Sequence, residues 1–149
     1  MNNCEFSLSD TIDIIEEVIG SGGEFRLFPK GVSMRPLLVQ GRDSVILRKR
    51  KGIPAKKHDI AFYKRLDGQF VLHRVMKIKK DGTYVMCGDN QFAFEEGIVP
   101  AQIIGYVSDI YRGENKFSVR ALKYRAYVFV WTKMPIRRTI VLIRSFFKK

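Results

Sequence analysis

The sequence predicts a mainly β fold: a curled antiparallel sheet or partial barrel, with a short helix before it and a basic amphipathic helical tail after it. Three observations lead there. From Glu24 onward the chain breaks into short β-branched or aromatic runs separated by Gly, Asp or Pro turns. Ahead of that stretch, Ile12, Ile15 and Ile19 recur at helical spacing, and apolar residues do so again near the C-terminus. The acidic residues stop at Glu114, whereas basic residues continue to Lys149.

Residues 8–19 read as the first helix. Ser7 with Asp10, or Ser9, supplies N-cap chemistry, and Gly20-Ser21-Gly22-Gly23 ends it. The expected strands are 25–28, 44–47, 60–63, 70–78, 83–86 and 103–110, with turns at Gly52, Asp67-Gly68, Asp81-Gly82 and Gly88-Asp89-Asn90. Short strands at this spacing suit a curled sheet. The expected division is a domain of residues 1–119, with its β core at 24–119, and a tail of residues 120–149. In the tail, Tyr127, Val130, Trp131 and Met134 fall on one helical face, and Pro135 should break or kink the helix. Beyond it Ile136, Ile140, Ile143 and Phe147 form a stripe opposite Arg137, Arg144 and Lys148.

Composition excludes several classes. The 149 residues are 46% hydrophobic and 12% aromatic, too apolar for intrinsic disorder. Two cysteines, Cys4 and Cys87, make no disulfide framework and suit a reducing compartment. Residues 97–108 are the longest charge-free run, shorter than the about 20 apolar residues of a spanning helix. No basic-then-apolar leader opens the chain. The expected location is therefore cytoplasmic, or peripheral at a membrane. Neither C-x-x-C nor H-x-x-x-H spacing nor a phosphate-binding Gly loop occurs, so no cofactor and no metal are expected.

The formal net charge is +12. It is concentrated after Glu114, leaving residues 1–114 nearly neutral. Three uses of the basic tail rank in this order: attachment to an anionic membrane surface through residues 120–149, packing of its apolar face on the β core, and nucleic-acid binding, which no accompanying motif supports.

Three stretches carry candidate chemistry. Ser33 lies in a Gly/Pro-bounded turn, Gly31-Val32-Ser33-Met34-Arg35-Pro36, just after a strand. His73 sits within the apolar run Val71-Leu72-His73-Arg74-Val75, and Asp89 lies in the turn Gly88-Asp89-Asn90. A serine hydroxyl needs a base within hydrogen-bond reach and commonly a third group that orients the base. Taken singly, each has an ordinary use: a turn serine, a core histidine, a hairpin carboxylate.

Together, in order, these motifs resemble the signal peptidase I and SOS-repressor-type serine peptidases. The matching residues are Ser33-Met34-Arg35-Pro36, Gly41-Arg42-Asp43-Ser44-Val45, His58-Asp59-Ile60, His73-Arg74-Val75, Gly88-Asp89-Asn90 and a closing Gln102-Ile103-Ile104-Gly105. Bacterial signal peptidases and SOS repressors have lysine where His73 stands. The endoplasmic-reticulum, archaeal and some sporulating-bacterial forms have histidine followed by arginine, as here.

The resemblance implies a serine endopeptidase acting on a peptide or protein segment laid along a strand edge, with small residues at the cut. Ser33 would be the nucleophile and His73 the base, and backbone N–H groups around Gly31, Val32 and Met34 would hold the oxyanion. The third member stays open among Asp89, Glu95 and Glu96, or a Ser-His dyad without one. The chain departs from the family in having Gly31 where many signal peptidases place a hydroxyl donor, His58 where Gly is usual, and no expected N-terminal membrane anchor. A histidine at its ordinary pKa of about 6.5 predicts activity falling below about pH 6. The alternative is a catalytically silent β module that binds membrane or nucleic acid through its tail.

Overall fold

The structure is a computed structural model that describes residues 8–133 together with 139, 140, 142, 143 and 147. Helix α1 spans Leu8–Gly20, and its Ile12, Ile15 and Ile19 are all buried, as the spacing requires. It stops where Gly22 takes a φ of +93° and the Gly23 N–H returns to the Val18 carbonyl.

Eight strands follow: β1 (Glu24–Leu27), β2 (Asp43–Arg48), β3 (Ile60–Lys64), β4 (Phe70–Ile78), β5 (Tyr84–Cys87), β6 (Glu95–Ile98), β7 (Ile103–Arg112) and β8 (Asn115–Ser118). They form one antiparallel sheet, ordered β1-β2-β7-β3-β4-β5-β6, with β8 also on β7. The path is not closed, so the expected curled sheet is what the chain forms. Register shifts at Ile46/Leu47, Phe62/Tyr63, Val75/Lys77 and Tyr84/Met86 bend it. Strands β6 and β8 were not expected. Glu95-Glu96-Gly97 and Asn115-Lys116 lack the apolar alternation of a half-buried strand, and pairing with β5 and β7 extends them nonetheless.

The curled sheet has two apolar clusters. One gathers α1, Met34, Leu38, Phe62, Leu72 and part of β7; the other gathers Ala61, Tyr63, Val75, Tyr84, Met86 and Tyr106. Gly105 lets α1 approach, since a Cβ there would lie 3.0 Å from Ile19 Cδ1.

Helix α2 (Leu122–Trp131) corrects the expectation for the tail. Its buried residues are Tyr124, Val128 and Trp131, and Val130 is exposed. Of the expected Tyr127–Val130–Trp131–Met134 face, Tyr127 and Trp131 turn inward and Val130 does not, and Tyr124 and Val128 join the inward side. Polar tips decide this, because Tyr124, Tyr127 and Trp131 each reach a buried hydrogen-bond partner. Tyr124 and Val128 belong to the first cluster, so α2 is part of the same core and the expected boundary at 119/120 does not separate it. Met134, Pro135 and Ile136, with Arg137, Arg144 and Lys148 opposite the second stripe, lie outside the described residues; of that stripe Ile143 and Phe147 are exposed and Ile140 is half-buried. Among the described residues, no helix is long and apolar enough to cross a membrane.

The interior is tied by one ion pair. Arg74 on β4 donates from Nε and Nη2 to the two oxygens of Asp89, each at 2.7 Å. Its Nη1 donates to the His58 carbonyl and to the Tyr124 hydroxyl, each at 2.9 Å. The Tyr127 hydroxyl donates to the Asp89 carboxylate and the Trp131 indole N–H to the Asp89 carbonyl, both at 2.8 Å. Both charged side chains are fully enclosed. Removing one partner leaves the other charge buried and unpaired, which costs about 3–5 kcal/mol. Arg74→Met should therefore lower the urea midpoint steeply. Glu96→Gln, which breaks the exposed pair with Lys79, should leave it unchanged.

Candidate functional site

The turn bearing Ser33 follows β1 and is shaped by its flanks. Gly31 adopts a φ of +82°, a region that favours glycine. Buried Met34, Leu37 and Leu38 root the far side of the turn in the core. The Arg35 N–H bonds the Val32 carbonyl at 3.2 Å, and the Leu38 N–H bonds the Met34 carbonyl at 2.9 Å.

The Gly88-Asp89-Asn90 turn clamps this loop from outside. The Asn90 N–H donates to the Ser33 carbonyl at 2.8 Å, and Asn90 Nδ2 donates to the Val32 carbonyl at 3.2 Å. A Cβ on Gly88 would stand 2.6 Å from the same Ser33 oxygen, so only glycine allows the approach. Among the described residues, the Ser33 hydroxyl and the N–H groups of Val32, Ser33 and Met34 make no hydrogen bond. The Gly31 N–H does make one, to Gln40 Oε1 at 2.8 Å. Of the expected oxyanion donors, the Gly31 N–H is thus engaged within the turn, and those of Val32 and Met34 are not.

His73 lies on β4, 3% exposed. Its cross-strand partner is Ala61, which puts Tyr63 on the diagonal of the same face. The Tyr63 hydroxyl lies 3.3 Å from His73 Nδ1 and donates to Glu95 Oε2 at 2.7 Å. Glu95 in turn takes hydrogen bonds from Arg65 Nε and Nη2. A hydroxyl that donates to a carboxylate presents its lone pairs elsewhere, so Tyr63 accepts from His73 Nδ1–H. This chain assigns the tautomer and leaves Nε2 with the lone pair.

The electrostatics follow from burial. Desolvation, helped by the Arg65 cation, pulls the His73 imidazole down to about 4, against weaker opposition from Glu95 and Asp89. Burial and the bond to Glu95 push the Tyr63 phenol up, so it keeps its proton. Burial alone would raise the Glu95 carboxyl; hydrogen bonds from Arg65 and Tyr63 outweigh that and hold it below its ordinary value. The expected acid limit near pH 6, drawn from an ordinary histidine, therefore does not fit a ring in this setting.

Ser33 and His73 line one cavity of about 900 Å3, with Gly31, Met34 and Gln91. No hydrogen bond joins the two side chains among the described residues. Asp89 does not reach His73 by a hydrogen bond, since its carboxylate is held by Arg74 and Tyr127. Glu96 faces solvent and pairs with Lys79. Glu95 alone of the three carboxylates connects to His73, and it does so through Tyr63.

His58 is half-buried, with a φ of +76°. That backbone explains why glycine is the easier residue there, and the ring takes no place in the cavity with Ser33. Cys87 is buried, its Sγ against the carbonyls of Gly88, Gln91 and Ala93. Among the described residues no three His, Cys, Asp or Glu side chains group as a metal site. Sequence reasoning missed Tyr63 and Arg65. The signal for Tyr63 was present, two residues beyond the strand partner of the histidine, but it needed the β3–β4 register to be read.

No family model, curated protein or solved structure matches the chain.

The His73 setting makes a signed prediction. In an NMR titration its ring should have a midpoint near pH 4, and Arg65→Gln should move it upward by removing the nearby cation. Because the folded value lies below the unfolded one of about 6.5, stability is fully present above that pH. It falls, by up to about 3 kcal/mol from this group, as pH drops through 4. His73→Gln should flatten that part of the stability profile. Gly88→Ala should cost about 1–3 kcal/mol by forcing the Ser33 turn aside, seen as a lowered unfolding midpoint.

Proposed function

We propose that the protein is a serine endopeptidase, with Ser33 as nucleophile and His73 as general base. The observation that carries the reading is the pairing in one cavity of an uncommitted serine hydroxyl with a histidine whose Nδ1 is tied back through Tyr63 to Glu95. Ser33 Oγ attacks a peptide carbonyl while His73 Nε2 takes its proton. The carbonyl oxygen becomes an oxyanion held by the unpaired N–H groups of the 32–34 turn. When the C–N bond breaks, His73 returns the proton to the leaving amine, and water then releases the acyl group from Ser33. Tyr63 and Glu95 are positioning residues: they fix the ring and its tautomer.

A catalytically silent module would also leave Ser33 and His73 without a mutual hydrogen bond, although such bonds are often long before substrate binds. A fluorophosphonate reagent separates the two readings. It should label Ser33 in the unmodified protein and not in His73→Gln; absence of labelling in both would favour the silent module. Ser33→Ala should abolish peptide cleavage, and full activity in that variant would overturn the assignment. The acid limb of kcat/KM should lie near pH 4, where His73 titrates. Tyr63→Phe should lower kcat by about tenfold to a hundredfold by releasing the ring, with a smaller change in KM.

The reading also places the protein peripherally at an anionic membrane surface. On α2, Leu122, Phe129 and Val130 are exposed beside Lys123, Arg125 and Lys133, and Leu142, Ile143 and Phe147 are exposed farther along. Apolar side chains flanked by cations suit the interfacial region. The protein should sediment with phosphatidylserine-containing vesicles and be released by salt. Failure to sediment, with tight salt-dependent oligonucleotide binding, would assign the tail to nucleic acid instead.

A further inference from the structure

The cavity at Ser33 has a shape and a floor that cleavage as such does not explain. Its two long walls are runs of consecutive residues: 25–31 on one side and 70–73 on the other. Alternate residues of a strand point to opposite faces. A cavity that touches consecutive residues of a strand therefore runs along the edge of that stretch. The pairing agrees. β1 pairs with β2 alone, and β5 meets β4 only from Arg74 to Ile78, so residues 70–73 pair on one side only among the described residues. The groove is bounded by two strand edges, with Ser33 and His73 among its lining. An extended peptide satisfies such edges with its own N–H and C=O groups and directs alternate side chains to either face.

The groove is apolar both along its walls, at Phe25, Leu27, Phe28, Phe70 and Val71, and beneath them. Ile12 and Ile15 of α1, Met34, Leu38, Phe62 and Leu72 form the floor, and all six are buried members of the first core cluster. The resemblance described above implies small residues at the cut. A methyl group would cover little of this apolar lining and would forgo the burial that a larger side chain gains.

We propose that this groove selects a bulky apolar side chain, leucine- to phenylalanine-sized, beside the cut bond, with α1 serving as part of the specificity pocket. This rests on the peptidase reading for the word "cut" and on the groove alone for the binding preference. Discrimination follows from filling: each added carbon that is buried in the floor strengthens binding, so leucine should exceed alanine by at least tenfold.

The test uses the full chain and a series of N-acetylated, C-amidated decapeptides of Gly, Ser and Thr in which one Ala, Leu or Phe is moved along the sequence. Binding to Ser33→Ala is read by calorimetry, and cleavage by the unmodified protein is read by mass spectrometry of the products. The expected result is Leu and Phe peptides bound at least tenfold tighter than Ala peptides, with cuts at one fixed offset from the bulky residue. Leu27→Trp, on the groove wall, should reduce the Leu-to-Ala binding ratio at least fivefold. Phe70→Ala on the facing wall should shift the preference from Leu toward Phe, so the proposal does not depend on one variant folding. Equal binding of all three series, or tighter binding of Ala peptides, would overturn the proposal while leaving any observed cleavage intact. Tight, Leu-selective binding with no cleavage by the unmodified protein would uphold the groove and overturn the peptidase reading.

Discussion

The buried Arg74–Asp89 pair is the constraint on which the rest of the site depends. Two opposite charges enclosed together are tolerated only if their remaining donors and acceptors are matched. Here the matches come from four parts of the chain: β4, the loop at His58, the turn after β5, and α2. Burial would weaken the Arg74 charge, and the Asp89 carboxylate overrides that and keeps the guanidinium firmly protonated. The requirement to satisfy one guanidinium therefore fixes where the turn after β5 sits and which face α2 turns inward.

From that anchored turn the constraint passes to the Ser33 loop. Asp89 looks inward to Arg74, and its neighbours look outward to the Ser33 loop. Gly88 supplies closeness, and Asn90 supplies two hydrogen bonds. Three consecutive residues thus do three jobs, and the carboxylate among them is an architectural group. This division explains how the loop can leave its N–H groups at 32–34 unpaired. The loop is held by its carbonyls, at Val32 and Ser33, so its donors remain available. A turn stabilised through its own N–H groups would have lost that capacity.

Legibility in the sequence followed the kind of interaction involved. Strands β1–β5 and β7 were readable because β-branched and aromatic runs are punctuated by turn residues. Helix α1 was readable because Ile12, Ile15 and Ile19 repeat at its period. β6 and β8 were not, because their extension comes from neighbours rather than from their own composition. Ser33 and His73 were nominated by local motif, and they do share a cavity. The carboxylate behind His73 was left open among three, since the choice depends on cross-strand geometry. Asp89 lies nearest a motif, yet it is claimed by the adjacent Arg74. Glu95 was one alternative among the three, and the β5–β6 pairing brings it to Tyr63. The inward face of α2 was legible only in part: apolar periodicity put Tyr127 and Trp131 on it but gave no weight to where the Tyr124 hydroxyl must end.

The relay through Tyr63 also bears on how the base would work. A carboxylate in direct contact with an imidazole raises its basicity and stabilises the cation formed on proton transfer. Here the carboxylate is one phenol away, and Arg65 already neutralises it. The net field at His73 is accordingly weak, burial dominates, and the ring sits at about 4. Such a base is neutral, and so competent, throughout the physiological range, but it is a reluctant acceptor. In the proposed reaction its contribution would come from orientation, with Nε2 held free by the Nδ1 bond, and the turn donors would stabilise the oxyanion. A peptide lying in the groove would displace water from beside His73 and disfavour the imidazolium further, which shifts still more of the barrier lowering onto the 32–34 amides. The clamp that leaves those amides unpaired therefore matters to the proposed chemistry at least as much as the histidine does.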